Sequence, residues 1–228
     1  MSVQLLERNV DRVMLIDDDA AVRHMYRYPV EELNLLPEEV SGPIWEVDDF
    51  IGSLSVGHDA VVCDYHLTMK NYSPVNGDVI VSKLYKRHMP AILCSRLSSV
   101  AEKVRALRRF IPVILAPQEL SDETVLEGFA ICLREFDGIF SGERRPWRTL
   151  VRVESCVSVN NDMLNLGVVV PGWNPHVVIA CNVRRQDNAI FRDVEAVLHR
   201  GDLFRGFAQV NIGCEREQDV YIIDWTAD

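Results

Sequence analysis

Three short apolar runs in the first hundred residues lead directly into polar side chains. Those that follow the runs are Asp17 and Asp18 after residues 13–16, Asp64 after residues 60–63, and Ser95 after residues 91–94. A near-continuous apolar run is typical of a parallel strand buried on both faces. Functional groups of open α/β sheets gather at the carboxyl ends of the strands. We therefore expect these four side chains to meet at one edge of a sheet.

The carboxylates at this edge predict a metal site. Asp17, Asp18 and Asp64 would repel one another at short range unless a cation lay among them. Carboxylate oxygens are the ligands that hard cations such as Mg²⁺ prefer. Asp19 is instead predicted to cap the following helix, because aspartate is favoured at that position.

Strand and helix patterns alternate along the first 140 residues. Strands are predicted at residues 13–16, 44–47, 60–63, 91–94 and 113–115. Helices are predicted at residues 20–32, 48–54, 78–88, 99–109 and 122–136. Ser121 and Thr124 form a helix-capping signal, and Val125 and Phe129 mark an apolar helix face. This alternation predicts an α/β fold with a doubly wound, five-stranded parallel sheet.

The order and spacing of these residues resemble the receiver domain of two-component response regulators. Asp17 and Asp18 match the acidic pair of that family, and Asp64, 47 residues after Asp17, matches its phosphoacceptor. Ser95, a further 31 residues on, matches the hydroxyl residue, and Asn76-Gly77 matches an Asn-Gly step before a helix. The resemblance covers roughly residues 10–138.

The resemblance implies a flavodoxin-like strand order and a Mg²⁺-dependent phosphoacceptor site. Asp17, Asp18 and Asp64 would hold the metal together with His66, which would contribute its backbone carbonyl. Ser95 would supply the hydroxyl of the phosphate pocket. The resemblance further implies a histidine kinase or a related phosphodonor protein as partner.

The chain departs from the family pattern on the phosphate side of the site. Ala116 stands in place of the usual lysine, although Pro117 is kept and should follow a cis peptide bond. Val113 replaces the usual aromatic residue, and Arg96 follows Ser95 where a small residue is usual. Arg96 is therefore either a solvent-facing loop residue or a replacement cation in the phosphate pocket. The loop after Asp64 is also longer than usual, by residues 69–74.

Composition argues against some function classes. The net charge of −10, without a basic stripe, argues against nucleic acid as the main partner. Apolar runs are too short for a membrane span, and the N-terminus lacks a signal-peptide core. The six cysteines form no CxxC pair, so we expect reduced thiols in a cytoplasmic protein without a membrane partner.

The sequence changes in character after residue 140. We predict a receiver-like domain at residues 10–140, a linker at 141–147 and a β-rich domain at 148–228. Strands are predicted at residues 149–159, 166–170, 177–183, 204–212 and 220–225, with a short helix near 194–198. This pattern indicates a small antiparallel sheet or barrel. It resembles no family known to us, and we expect it to bind a protein partner.

These patterns favour a signalling protein, an atypical response regulator whose output is protein contact rather than enzymatic activity. A phosphate-independent pseudo-receiver, acting as an adaptor or scaffold, and a phosphate sink for a kinase stay open, because the lysine is missing. The run from Asp17 to Asp19 also fits the start of haloacid-dehalogenase-like phosphatases. Ala21 stands where that family has Thr or Val, so the phosphatase is a minor alternative.

Overall fold

The structure is a computed structural model that describes residues 3–5, 8–96, 100–159, 163–184, 191–199 and 204–227. The chain divides into two compact units. The first comprises Met1–Val100 and Phe110–Ile139, and the second comprises Ala101–Arg109 and Phe140–Asp228. Residues 101–109 therefore belong to the second unit, although they lie in sequence between two parts of the first.

The first unit contains a parallel sheet and a short hairpin. The hairpin strands are β1 (Val3–Leu5) and β2 (Arg8–Val10). The parallel strands are β3 (Arg12–Ile16), β4 (Leu36–Glu39), β5 (Asp59–Asp64), β6 (Ala91–Cys94) and β7 (Val113–Leu115). Their spatial order is β4-β3-β5-β6-β7. This is the predicted doubly wound, flavodoxin-like order, so the fold class is confirmed.

Helices connect the parallel strands of the first unit. They are α1 (Ala20–Glu32), α2 (Val47–Ser53), α3 (Gly77–Lys86) and α5 (Asp122–Phe136). Between β6 and β7 the chain forms α4 (Val100–Lys103), which from Ala101 onward belongs to the second unit. Ser121 caps α5 as predicted, since its hydroxyl accepts from the Thr124 backbone N–H at 3.2 Å. Val125 and Phe129 of α5 are fully buried in the core beside the sheet.

The second predicted strand, at residues 44–47, is wrong. The second strand of the parallel sheet is β4, which pairs with β3 from Leu36↔Arg12 to Glu39↔Leu15. Ile44 and Val47 are buried as their sequence suggested, but they lie in the loop before α2 and at its start. An edge strand tolerates proline and charge. β4 therefore shows little apolar signal, and Leu36 is 62% exposed.

The fourth helix is shorter than predicted. In place of one helix over residues 99–109, α4 ends at Lys103 and a 3₁₀ helix spans Arg105–Phe110. Residue 99 lies outside the described part of the chain.

The second unit contains an antiparallel sheet. Its strands are β8 (Trp147–Val159), β9 (Met163–Val170), β10 (Asn174–Arg184), β11 (Arg205–Val210) and β12 (Ile222–Ala227). They run in the order β10-β9-β8-β11-β12, which confirms an antiparallel sheet. A helix, α6 (Phe191–His199), adds Phe191 and Val194 to the apolar core of this sheet.

Residues 101–109 are held within the second unit by arginine contacts. Arg108 donates from Nε and Nη2 to Oδ1 of Asp219, at 3.2 and 3.1 Å. Arg105 donates to the Ala180 carbonyl at 3.0 Å. Arg144, a buried residue of the predicted linker, donates to the carbonyls of Arg108 and Arg109 at 3.3 and 3.0 Å. These bonds connect residues far apart in sequence.

No described helix combines the length and the apolar character needed to cross a membrane. All six cysteines are free thiols. Cys156 is partly exposed, and the other five are buried.

Candidate functional site

Strand register brings the predicted site residues to one edge of the parallel sheet. Ile16 of β3 pairs with Cys63 of β5, so the residues after them, Asp17 and Asp64, lie side by side. Asp64 in turn pairs with Cys94 of β6, the residue before Ser95. The carboxyl ends of the strands therefore meet where the sequence predicted.

Among Asp17, Asp18 and Asp64, Asp17 is the most deeply buried, at 4% exposure. Its Oδ1 accepts from the Asp19 backbone N–H at 2.7 Å, and its Oδ2 accepts from the Tyr26 hydroxyl at 3.1 Å. Burial raises the pKa of Asp17, and these hydrogen bonds oppose that rise. The carboxylate is thus fixed in orientation by two protein donors.

Asp64 is less buried than Asp17, and its pKa departs strongly from the usual value of a carboxyl group. Burial and the neighbouring charge of Asp17 together raise the pKa of Asp64 to about 6. Its Oδ2 accepts from the backbone N–H of His66 at 2.7 Å, which fixes the loop immediately after β5. The His66 ring lies edge-on to Tyr65, with 4.8 Å between the ring centroids.

Asp18 and Asp19 share a cation that the sequence analysis did not assign to the site. The Lys70 ammonium lies 3.3 Å from Oδ1 of Asp18 and 3.5 Å from Oδ2 of Asp19. Asp19 also caps α1 as predicted, because its Oδ1 accepts from the Ala21 backbone N–H at 2.9 Å. Hydrogen bonds from the backbone N–H groups of Ala21 and Val22 lower the pKa of Asp19.

The acidic residues open into a cleft of about 220 Å³. The residues that line it are Asp17, Asp18, Asp19, Val22, Tyr26, Asp64, His66, Lys70, Arg96 and Pro117. Arg96 is exposed to solvent and still lines the cleft. Ser95 is buried at the end of β6, where its backbone N–H donates to the Leu115 carbonyl at 3.0 Å. Four carboxylates and two exposed cations, Lys70 and Arg96, therefore share this space.

The loop after β7 differs from the expected form. The bond between Ala116 and Pro117 is trans, so the expected cis bond is wrong. Pro117 begins a 3₁₀ turn, Pro117–Glu119, for which its fixed φ is suited. The Glu119 carboxylate accepts from the Ala116 backbone N–H at 2.7 Å and closes that turn.

The extra residues 69–74 form an anchored turn. Tyr72 is buried, and its hydroxyl donates to the Val40 carbonyl. Its backbone N–H donates to the Leu67 carbonyl at 3.2 Å, and its carbonyl accepts from Ile44 at 2.7 Å. Asn71 turns the chain with a φ of +54°, a conformation that asparagine tolerates well. The anchor at Tyr72 fixes the turn that carries Lys70.

A buried guanidinium lies beneath the cleft. Arg23 of α1 is 7% exposed and donates to the Asp17 backbone carbonyl. Its guanidinium carbon lies 5.8 Å from the centroid of the Tyr72 ring. Arg23 therefore links the base of the acidic cleft to the anchor of the inserted turn.

The Asn76-Gly77 step has a steric cause. A Cβ at Gly77 would lie 2.0 Å from the Asp64 carbonyl oxygen and 2.8 Å from Sγ of Cys63. The start of α3 can approach the end of β5 this closely only without a side chain.

Gly77→Ala is expected to lower the free energy of unfolding by about 1–3 kcal/mol, because backbone must move to relieve the overlap. Urea unfolding measures this loss. Gly142→Ala is the matched control, since a Cβ there meets nothing within 4 Å. Equal stabilities for the two variants would contradict the close approach.

The acidic residues supply the right chemistry for Mg²⁺ without a preformed cage. Asp17, Asp18 and Asp64 offer carboxylate oxygens to one cleft, as a hard cation requires. Within the described residues, however, no three His, Cys, Asp or Glu side chains are arranged to hold a metal ion. Asp18 is paired with Lys70 in this arrangement. The carboxylates have the chemistry that Mg²⁺ prefers, and binding would require Asp18 to leave Lys70.

Sequence reasoning missed three residues of the site: Lys70, Arg23 and Tyr26. Of these three, Lys70 had the clearest sequence signal of a site residue, because it is a cation inside an insertion that closely follows Asp64, the predicted phosphoacceptor. Arg23 and Tyr26 had a weaker sequence signal, since a basic residue and a tyrosine are ordinary on an amphipathic helix.

The comparisons with known proteins found similar solved structures. No family model and no curated protein matches the chain. A response regulator receiver domain from Clostridium thermocellum is similar in structure, with 13% identity and a TM-score of 0.44 over 57% of this chain and 100% of that one. The signal receiver domain of an HD domain-containing protein from Pseudomonas fluorescens Pf-5 has 13% identity and a TM-score of 0.43, over 57% and 90%.

A third similar structure belongs to a family of streptococcal redox sensors described as evolved from two-component response regulators. It covers 75% of this chain and 68% of its own, with 12% identity and a TM-score of 0.41. The first unit has a doubly wound parallel sheet in the flavodoxin-like order, and receiver domains are among the solved structures similar to this chain.

Proposed function

We propose that this chain is an atypical response regulator that accepts a phosphoryl group on Asp64. The observation that carries the proposal is the placement of Asp64 at the carboxyl end of β5, in one cleft with Asp17 and Asp18. The two cations that line the cleft, Lys70 and Arg96, supply positive charge to offset a phosphoryl group.

The transfer would form one bond and break one. A carboxylate oxygen of Asp64 attacks the phosphorus of a phosphodonor such as a kinase phosphohistidine, and an O–P bond forms. The P–N bond of the donor breaks, and its nitrogen keeps the electron pair and takes up a proton as needed. The product is an acyl phosphate on Asp64, with its added charge inside the cleft. The hydrogen bond from the His66 backbone N–H keeps the Asp64 carboxylate oriented during the attack.

Mg²⁺ would be held by Asp17, Asp18, Asp64 and the backbone carbonyl of His66. It would offset the charge of the carboxylates and of the phosphoryl oxygens. Asp17 is already oriented for this task by the Asp19 backbone N–H and the Tyr26 hydroxyl. In the phosphate pocket, Ser95 would present its hydroxyl and Arg96 its guanidinium, which matches phosphate oxygens well.

The output of the protein would be protein contact. The antiparallel second unit would bind the partner, and a histidine kinase or related protein would be the phosphodonor. In this proposal the chain is a cytoplasmic signalling protein and not an enzyme, which fits its free thiols.

Incubation with Mg²⁺ and phosphoramidate, followed by intact mass measurement, tests this function. The wild type is expected to gain one phosphoryl group, and Asp64→Ala is expected to gain none. Asp49→Ala serves as the matched control, because Asp49 is an exposed residue of α2. Absence of the gain in the wild type, or its persistence in Asp64→Ala, would contradict the proposal.

The replacement of the usual lysine by Ala116 favours a second candidate, a phosphate-independent adaptor. In that case the wild type gains no phosphoryl group. Neutral substitutions at Asp17, Asp18 and Asp64 would then leave partner binding unchanged. A phosphate sink would instead take up the phosphoryl group and leave partner binding unaltered by it.

A further inference from the structure

Lys70 lies at the mouth of the acidic cleft although it comes from an insertion. Its ammonium pairs with Asp18 at 3.3 Å and with Asp19 at 3.5 Å. Neither contact is short, and the Lys70 side chain is 58% exposed. Asp18 is 12% exposed and Asp19 is 47% exposed. Because the ammonium itself lies largely in solvent and its contacts are long, Lys70 can change partner at small cost.

The backbone beneath Lys70 is fixed, in contrast to its side chain. The buried Tyr72 holds the turn through hydrogen bonds to Val40, Leu67 and Ile44. A Cβ at Gly42 would lie 2.2 Å from the Tyr72 ring, which shows how closely the turn is packed. A fixed turn with an exposed ammonium, shared between Asp18 and Asp19, keeps a cation near the cleft without locking it to one carboxylate.

The other cations near the cleft are less suited to this task. Arg23 is buried beneath Asp17 and bonded to its carbonyl, so it cannot reach into the cleft without leaving that contact. The position after β7 holds Ala116, which carries no charge. Arg96 lines the cleft, but it is not held over the acidic residues by an ion pair of the kind that Lys70 makes.

We propose that Lys70, supplied by the inserted turn in place of the lysine that is absent at Ala116, is the principal cation that binds the phosphoryl group in this cleft, with Arg96 in a supporting role. In the metal-free, unphosphorylated protein Lys70 pairs with Asp18 and Asp19. When the phosphoryl group forms on Asp64, its oxygens together carry two negative charges. They attract the Lys70 ammonium more strongly than either carboxylate does. This inference rests on the proposed function of Asp64.

The test compares phosphorylation rates of the full-length protein with phosphoramidate and Mg²⁺, followed by intact mass. Lys70→Met is expected to slow the gain of the phosphoryl group about tenfold, the worth of one charge-assisted contact. Lys70→Arg should restore most of the rate, because it keeps a cation at the same position. Lys83→Met is the matched control, since Lys83 pairs with Asp48 on the helices outside the cleft.

The outcomes separate this inference from the function on which it rests. A wild type that gains a phosphoryl group, together with an unchanged rate in Lys70→Met, overturns the role of Lys70 and leaves Asp64 as acceptor. A faster rate in Lys70→Met also overturns it and identifies Lys70 as a block to metal or donor. A wild type that gains nothing overturns both. Circular dichroism and the melting temperature of Lys70→Met should match the wild type, and Lys70→Gln repeats the test with a polar side chain.

Discussion

Asp219→Ala is expected to lower the free energy of unfolding of the second unit by about 2–4 kcal/mol. Asp219 accepts from two nitrogens of Arg108 and, through Oδ2, from Nε of Arg216 at 2.7 Å. Both side chains of the Arg108 pair are largely covered, at 10% and 15% exposure. Removal of the carboxylate takes a counter-ion and the acceptor of two hydrogen bonds away from a covered guanidinium, which is the costly case.

Urea unfolding followed by tryptophan fluorescence measures this loss. In a Trp45→Phe background the remaining tryptophans, Trp147, Trp173 and Trp225, all lie in the second unit. Glu217→Ala is the matched control, because Glu217 is 48% exposed in its pair with Arg105 and should cost less than about 1 kcal/mol. Similar losses in the two variants would show that the burial of the Arg108 pair has no energetic consequence.

Asp64→Asn is expected to stabilise the metal-free protein by about 1–3 kcal/mol near neutral pH. Burial and the charge of Asp17 raise the pKa of Asp64 from 3.8 to about 6, so the folded state binds a proton more readily than the unfolded state. Stability from this group is therefore fully present below about pH 4 and is lost as the pH rises to about 6. Asparagine keeps an acceptor for the His66 N–H and removes the charge.

The difference between Asp64→Asn and the wild type should consequently be small at low pH and reach its full size above about pH 6. Urea midpoints measured across this range in the presence of a chelator give the profile. Asp49→Asn, on the exposed side of α2, should show no such change over the same interval. A stabilisation by Asp64→Asn that is the same at all pH values would mean that charge repulsion in the cleft is not its cause.

The fold of the first unit was predictable where strands are buried on both faces. β3, β5 and β6 consist almost wholly of buried apolar residues, and the sequence located each of them within a residue or so. The prediction of β4 failed because an edge strand needs no apolar face. The predicted strand was placed instead at Ile44 and Val47, which are buried but do not lie in a strand. An apolar pattern indicates that a segment is buried, and it identifies a strand only where the buried segment is also a strand.

The site was predictable to the extent that strand ends determine it. Asp17, Asp18 and Asp64 meet because parallel strands align their carboxyl ends. Lys70 could not be assigned from spacing, since its position depends on how the inserted turn is anchored by Tyr72. The sequence also could not predict that residues 101–109 belong to the second unit, because the contacts of Arg105 and Arg108 join residues 75 to 112 positions apart.

Residues 101–109 also set an order of assembly during synthesis. They leave the ribosome before the strands they contact, and Asp219 follows Arg108 by 111 residues. Chains fold broadly from the N-terminus as they emerge, and contacts this distant in sequence close late. The first unit has all its strands once residue 139 is made, whereas the arginines of the second must wait for nearly the whole chain. A chain that stops shortly before residue 219 would therefore carry a finished parallel sheet beside an incomplete ion-pair network.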